Sequence, residues 1–263
     1  MKRIPLLLIA LLLAACGTDS LQPATAASAS ASTLNIFAAA SLSESFRELA
    51  SRFEAAHPEI TVSLNFAGSN TLRAQIEQGA QADLFASANL NEMETLQAQG
   101  LINGFQPFAE NRLVVITPAE NTGALSQFAD LANPGLKLVL AAEEVPAGNY
   151  SRQVLARLGE EFERKTLANL VSNENSVRQV LAKIQLGEAD AGIVYASDLF
   201  AAEQVTVIEI PAEVNVSAVY ALTQPLGARH PEAAQAFIDF LLSAEGQEIL
   251  AKWGFLPLDE HTQ

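Results

Sequence analysis

The chain alternates short apolar runs with amphipathic stretches over most of its length. The first clear example is the apolar run 36–40, which predicts a buried strand. Apolar side chains then recur at helical spacing on one face, at Phe46, Leu49, Ala50 and Phe53. Continued alternation of strands and helices predicts an α/β fold with largely parallel sheets.

Ser41 lies where this first strand turns into its helix. Serine is a typical helix cap, and Glu44 three positions later predicts a capping box. The amide groups at a helix start have no partner within the helix and lie at the positive end of its dipole. Such a junction binds a small anion without any charged side chain.

Three further junctions of this kind follow. They lie at Ser69, near Ala147, and at Ser176 or Val177. In open α/β sheets, helix starts that follow strands line the ligand crevice. Tyr195, at the end of another predicted strand, adds a phenolic donor. Together they predict an anion site made of amide and hydroxyl groups, although the serines also suit plain caps and the tyrosine suits a core.

Two lobes are predicted from two long runs of strands and helices. The strands expected at 112–117 and 216–223 would cross between them. Lobe one then comprises residues 34–113 together with 216–263, whereas lobe two comprises 114–215. A cleft between lobes joined by two strands is a natural site for a ligand that is enclosed by hinge closure.

The composition narrows the classes of function. Hydrophobic residues make up 49% of the 263 positions and charged residues 17%, which predicts a folded chain with a large core. The net charge of −15 argues against a nucleic-acid partner. One cysteine and three scattered histidines give no disulfide framework and no cysteine–histidine metal cluster. We therefore expect neither a cofactor nor a resident metal.

The N-terminus has the pattern of an export signal. Residues 1–15 begin with two basic residues and continue with a short apolar core, which predicts a signal peptide. The sequence Leu-Ala-Ala-Cys16 resembles a bacterial lipobox and implies lipid attachment to Cys16. Residues 16–33 are rich in Ala, Ser and Thr and predict a flexible tether. We expect an exported protein at the periplasm or outer face of the membrane, held only by its lipid.

Several motifs together resemble the periplasmic molybdate-binding proteins of bacterial ABC transporters. The resemblance covers residues 34–258. The motifs that carry it include Phe37-Ala-Ala-Ala-Ser41-Leu42, Phe66-Ala-Gly-Ser69-Asn-Thr-Leu72, Val145-Pro-Ala147-Gly148-Asn-Tyr150, Val177-Arg178-Gln-Val and Gly187-Glu-Ala-Asp-Ala-Gly-Ile-Val-Tyr195.

This resemblance implies a two-lobe periplasmic-binding-protein fold of type II, in which each lobe is a mainly parallel sheet flanked by helices. It implies that molybdate or tungstate is bound by hydroxyl or amide groups of Ser41, Ser69, Ala147, Val177 and Tyr195. It also implies delivery of the anion to an ABC permease and its ATPase, without enzymatic activity. We expect a monomer, the simplest state for a carrier that docks both lobes onto a permease.

Two features depart from the family pattern. Gly68 and Asn70 flank Ser69 where the family often has serines, which puts the number of donors in doubt. The amide that points inward near the fourth junction belongs to Ser176 or Val177.

Two alternative hypotheses remain open at this point. The first is a transport protein for sulfate, phosphate or another oxyanion. The second is a two-lobe enzyme, which needs a general base near the cleft. No junction supplies a histidine, and the nearby Glu44 and Glu174 suit capping and surface roles.

Overall fold

The computed structural model describes residues 32–121 and 123–259. The predicted signal peptide, the lipid-attachment residue Cys16 and most of the predicted tether lie outside the described residues. The end of the tether was predicted wrongly, because the first strand already begins at Ser32, which pairs with Ile60 on the neighbouring strand.

The described residues form nine strands in one mixed sheet. The strands are β1 (Ser32–Ala39), β2 (Ile60–Ala67), β3 (Leu84–Ser87), β4 (Gln106–Pro118), β5 (Leu138–Ala141), β6 (Leu170–Glu174), β7 (Ala191–Tyr195), β8 (Val205–Glu209) and β9 (Ser217–Thr223). Their order across the sheet is β2-β1-β3-β9-β4-β7-β5-β6, and β8 also pairs with β4.

Eight α-helices flank this sheet in the described part of the chain. They are α1 (Ser43–Ala56), α2 (Ser69–Glu77), α3 (Asn91–Ala98), α4 (Pro146–Arg157), α5 (Glu160–Leu167), α6 (Val177–Gln185), α7 (Pro231–Leu242) and α8 (Ala244–Lys252). Short 3-10 helices occupy Ala40–Leu42, Phe128–Ala132 and Ala196–Ala201. Within the described ranges, no helix has both the length and the apolar character needed to cross a membrane.

The α/β class is confirmed, and the strand directions add detail to it. Strand β1 is parallel to β2 and β3, and β5 is parallel to β6 and β7. The pairs that involve β4 or β9 are all antiparallel. The sheet is therefore parallel towards both edges and antiparallel in the middle.

The long strand β4 belongs to both parts of the sheet. Its residues 106–112 pair with β9, whereas 113–116 pair with β7 and 114–118 with β8. We call β2, β1, β3 and β9, with the helices that follow them, the first half of the sheet. The second half comprises β7, β5, β6 and β8 with their helices.

Helix α1 is fixed in the first half by the apolar face that the sequence predicts. Phe46, Leu49 and Phe53 are fully buried. The Phe53 ring meets that of Phe237 from α7 edge to face at 5.2 Å. This contact holds the C-terminal helices against α1, so the end of the chain packs with its beginning.

Candidate anion-binding site

A small cavity lies between the two halves of the sheet. It measures about 210 Å³, with the open space at its mouth included. All five residues that the sequence predicts for an anion site line this cavity: Ser41, Ser69, Ala147, Val177 and Tyr195. Two come from the first half and three from the second. The remaining wall is formed by Ala39, Ala40, Gly68, Ala88, Val145, Pro146 and Ser176.

Ser41 reaches the cavity in a way that corrects the sequence prediction. It lies within the 3-10 helix Ala40–Leu42, and α1 begins only at Ser43. The predicted capping box at Ser41 and Glu44 is therefore wrong, because an extra tight turn separates the strand from the α-helix.

The Ser41 hydroxyl is held by Tyr220, which the sequence patterns did not predict as a site residue. Its Oγ lies 2.8 Å from the Tyr220 hydroxyl in a buried hydrogen bond. Tyr220 is fully buried in the middle of β9, 179 positions from Ser41. No local pattern marks it as a site residue, since its role depends on the return of β9 to the first half of the sheet.

Ser69 is the first residue of α2 and is almost fully buried. Its Oγ accepts a hydrogen bond of 3.1 Å from the amide of Ala88. The hydroxyl proton of Ser69 is thus left to donate to another group. Its backbone amide, in the first turn of the helix, has no intrahelical acceptor.

Helix α4 begins at Pro146, next to the junction that the sequence predicts near Ala147. Proline suits the first helical position, where no amide hydrogen is needed. The first bond of the helix runs from the amide of Asn149 to the carbonyl of Val145, at 2.9 Å. The amide of Ala147 precedes this bond, so it has no acceptor within the helix.

Gly148 is required by the close approach of the backbone at this helix start. A Cβ atom there would lie 1.9 Å from the carbonyl oxygen of Ala142 and 2.3 Å from that of Ala141. Glycine therefore lets α4 pack directly onto the end of β5, which brings the amide of Ala147 to the cavity.

Helix α6 begins at Val177, and Ser176 is its cap residue. The amides of Gln179 and Val180 both bond to the Ser176 carbonyl. The Val177 amide comes before these bonds and lacks an intrahelical partner. Both Ser176 and Val177 line the cavity, so the structure brings both candidates to the site.

Tyr195 ends β7 and is almost completely buried. Its hydroxyl has no hydrogen-bond partner among the described residues. The neighbouring Tyr220 hydroxyl is engaged with Ser41. Burial raises the pKa of Tyr195 well above its ordinary value, so the phenol keeps its proton. The site thus contains a buried neutral donor that no described residue accepts from.

The cavity wall carries no charged side chain. The carboxylate of Glu44 pairs with Arg47 and Arg178, and that of Glu174 pairs with Lys183. No histidine lines the cavity, and the described residues contain no cluster of three potential metal ligands. This arrangement can bind an anion through hydroxyl and amide donors, but it offers no evident general base.

Comparisons with known proteins identify the family of this chain. The bacterial extracellular solute-binding protein family matches residues 34–256. The molybdate-binding protein ModA of Mycobacterium tuberculosis is 38% identical over 248 residues, which cover 92% of each protein.

Two solved structures share the fold. The periplasmic molybdate-binding protein of Azotobacter vinelandii has a TM-score of 0.76 at 23% identity, and the match covers 86% of this chain and all of that one. The sulfate-binding protein SubI of Mycobacterium tuberculosis also has a TM-score of 0.76, at 18% identity over 88% of each chain. The expected periplasmic-binding-protein fold is therefore confirmed, although the fold alone does not separate the two ligands.

The resemblance to molybdate-binding proteins is confirmed by the mycobacterial relative, which aligns over nearly the whole chain. The family match likewise spans almost all the residues that the structure describes. The chain belongs to the bacterial extracellular solute-binding proteins and is related to their molybdate-binding members.

Proposed function

We propose that this protein is the extracytoplasmic solute-binding component of an ABC importer and that it binds molybdate or tungstate. The observation that carries the proposal is the cavity in which Ser41, Ser69, Ala147, Val177 and Tyr195 meet without any charged side chain. The 38% identity to a molybdate-binding protein supports the choice of ligand.

Neutral donors suit an oxyanion that must be both held and released. Charge-assisted hydrogen bonds from arginine are stronger than hydrogen bonds between neutral groups, so a bidentate arginine contact would retain the ligand tightly. Amides at helix starts bind an anion through several weaker contacts, aided by the helix dipoles. Their positions are fixed by the backbone, so a smaller anion such as sulfate would not reach all of them at once.

The site also overcomes an unfavourable overall charge. A net charge of −15 repels anions from the protein as a whole. Closure removes the ligand from water. Inside the closed cleft, local donors act on the ligand more strongly than distant surface charges do. We infer that residues 34–113 with 216–263 form one lobe and 114–215 the other, and that they close about β4 as a hinge.

Export and partners complete the proposal. The signal at 1–15 and the cysteine at Cys16 support a lipid-anchored protein outside the cytoplasmic membrane. A solute-binding protein of this family would deliver its anion to a permease that is driven by an ATPase. We propose that the protein acts as a monomer, without a cofactor and without catalysis.

Calorimetric titration of the purified protein with molybdate, tungstate, sulfate and phosphate tests this function. We expect binding of the first two at one site per chain and little heat from the others. Binding of sulfate or phosphate alone would retain an oxyanion carrier but reject the proposed ligand. Binding of none would reject the carrier function altogether.

A further inference from the structure

An ion pair joins the two halves of the sheet beside the cavity. Glu44 is the second residue of α1, in the first half, and Arg178 is the second residue of α6, in the second half. Their side chains form an ion pair and expose only 24% and 20% of their surface, respectively. The contact is therefore sheltered between the halves, where water screens it less than a surface pair.

A groove beside this ion pair borders the anion cavity. Arg178 lines the groove, which shares Ala40, Gly68 and Ser176 with the wall of the cavity. Neither Glu44 nor Arg178 lines the cavity itself. The pair is thus placed to hold the mouth shut without touching a bound anion.

Arg178 has a second acidic partner deeper in the protein. Its Nε lies 3.0 Å from Oδ1 of the fully buried Asp198, although the two are not aligned as a hydrogen bond. The other oxygen of Asp198 accepts a 3.0 Å hydrogen bond from the backbone amide of Tyr195. A continuous series of contacts therefore runs from the cavity through Tyr195, Asp198 and Arg178 to Glu44.

We propose that Glu44 and Arg178 form a latch that holds the two halves together over the anion and limits the rate of its release. Through Asp198, Arg178 is also a positioning residue for Tyr195. This inference rests on the proposed function, since a latch of this kind matters only to a carrier that opens and closes.

The chain contains a natural reporter of closure. Trp253 is the single tryptophan, and its indole hydrogen-bonds at 2.7 Å to Glu48 on α1. Its ring centroid lies 6.2 Å from that of Phe200, which follows β7 in the second half. Separation of the halves would remove this contact and change the tryptophan fluorescence.

The test measures capture and release of molybdate and tungstate by stopped-flow fluorescence of Trp253. Glu44→Gln and Arg178→Gln are each expected to speed release about fivefold or more, which corresponds to the loss of a sheltered ion pair. Capture by Glu44→Gln should change less than twofold, because this variant retains every donor in the cavity and keeps the contact of Arg178 with Asp198. Arg178→Gln should also slow capture, because it removes that contact and Asp198 bonds to the amide of Tyr195. The double variant should release no faster than Arg178→Gln, since both substitutions break the same contact.

Arg47→Gln is the matched control. Arg47 pairs with the same carboxylate as Arg178, but it lies on the same helix as Glu44 and is 61% exposed. It should leave the release rate within twofold of the unmodified protein. The latch is overturned if Arg47→Gln and Glu44→Gln have equal effects, or if the two latch substitutions multiply in the double variant.

If the unmodified protein captures neither anion, the proposed function fails, and the latch is then measured without ligand. Small-angle X-ray scattering should give a larger radius of gyration for Glu44→Gln than for Arg47→Gln. Equal radii would overturn the latch as well.

Discussion

The hydroxyl groups of Ser41 and Tyr220 lie 2.8 Å apart in the interior of the protein. This hydrogen bond orients a cavity donor by means of a side chain that does not itself line the cavity. Residues of this supporting type determine how accurately the donors meet a ligand.

Replacement of Tyr220 by phenylalanine removes this support while it preserves the packing of the ring. We expect molybdate affinity to fall about fivefold to tenfold, the usual consequence of losing one hydrogen bond. Thr223→Val is the matched control, because Thr223 is buried on the same strand and its hydroxyl donates to the Gly104 carbonyl outside the cavity wall. Equal losses in the two variants, measured by calorimetry, would show that the Ser41 contact has no special role.

The neutral donors themselves should carry the affinity. Ser41→Ala and Tyr195→Phe are each expected to weaken molybdate binding about tenfold or more, since each deletes a donor from a buried site. Arg73→Ala should leave the affinity nearly unchanged, because Arg73 pairs with Glu77 and Glu92 away from the cavity. The reverse order of effects in a titration series would mean that a cationic side chain binds the anion.

Gly68 permits the halves to meet. Its φ of −59° is accessible to any residue. However, an added Cβ would lie 2.5 Å from the backbone oxygen of Asn175 in the other half. Gly68→Ala should therefore hinder closure at a cost of roughly 1–3 kcal/mol and lower affinity about tenfold or more.

Gly104→Ala controls for the general effect of replacing a glycine, since a Cβ at Gly104 would meet no atom within 4 Å. Calorimetry of both variants checks the prediction. Wild-type affinity in Gly68→Ala would contradict the close contact between the halves.

Asp83 should make stability depend on pH. Burial alone would raise the pKa of its carboxyl, but hydrogen bonds from the amides of Asn35, His230 and Arg229 lower it below the ordinary value. A lowered folded-state pKa gives stability that is present above the unfolded value of about 3.9 and is lost as pH falls through the folded value.

Asp83→Asn should therefore reduce the free energy of unfolding by about 1–3 kcal/mol at pH 7, with a difference that shrinks below about pH 4. Denaturant unfolding at several pH values measures it. Glu203→Gln is the control, because Glu203 is exposed. Its free energy of unfolding should differ little from that of the unmodified protein. If the free energies of unfolding of Asp83→Asn and the unmodified protein differ by the same amount from pH 7 to pH 3, the Asp83 charge does not stabilise the fold as proposed.

Local sequence patterns predicted some features of the helices correctly, because the signals for those features are contained in a few neighbouring residues. The apolar face of α1 and the start of α6 at Val177 are examples. Patterns failed where two local structures compete. The 3-10 turn at Ala40–Leu42 displaced the start of α1 from Ser41 to Ser43.

Long-range contacts could not be predicted from these patterns. Tyr220 supports Ser41 across 179 positions, and Arg178 meets Glu44 across 134. Helix α5 was also missed, because the segment Glu160–Leu167 is mostly charged and only Thr166 is buried. The two side-chain contacts depend on how distant parts of the chain pack together, which the identity of a single residue does not reveal.

The most direct test of the anion site is a crystal structure of the protein with molybdate, recorded with anomalous scattering at the molybdenum edge. We predict one anomalous peak inside the cavity, with oxygen atoms at hydrogen-bond distance from Ser41, Ser69, Ala147, Val177 and Tyr195. A peak elsewhere, or one held by an arginine or lysine side chain, would contradict the account of binding by neutral donors.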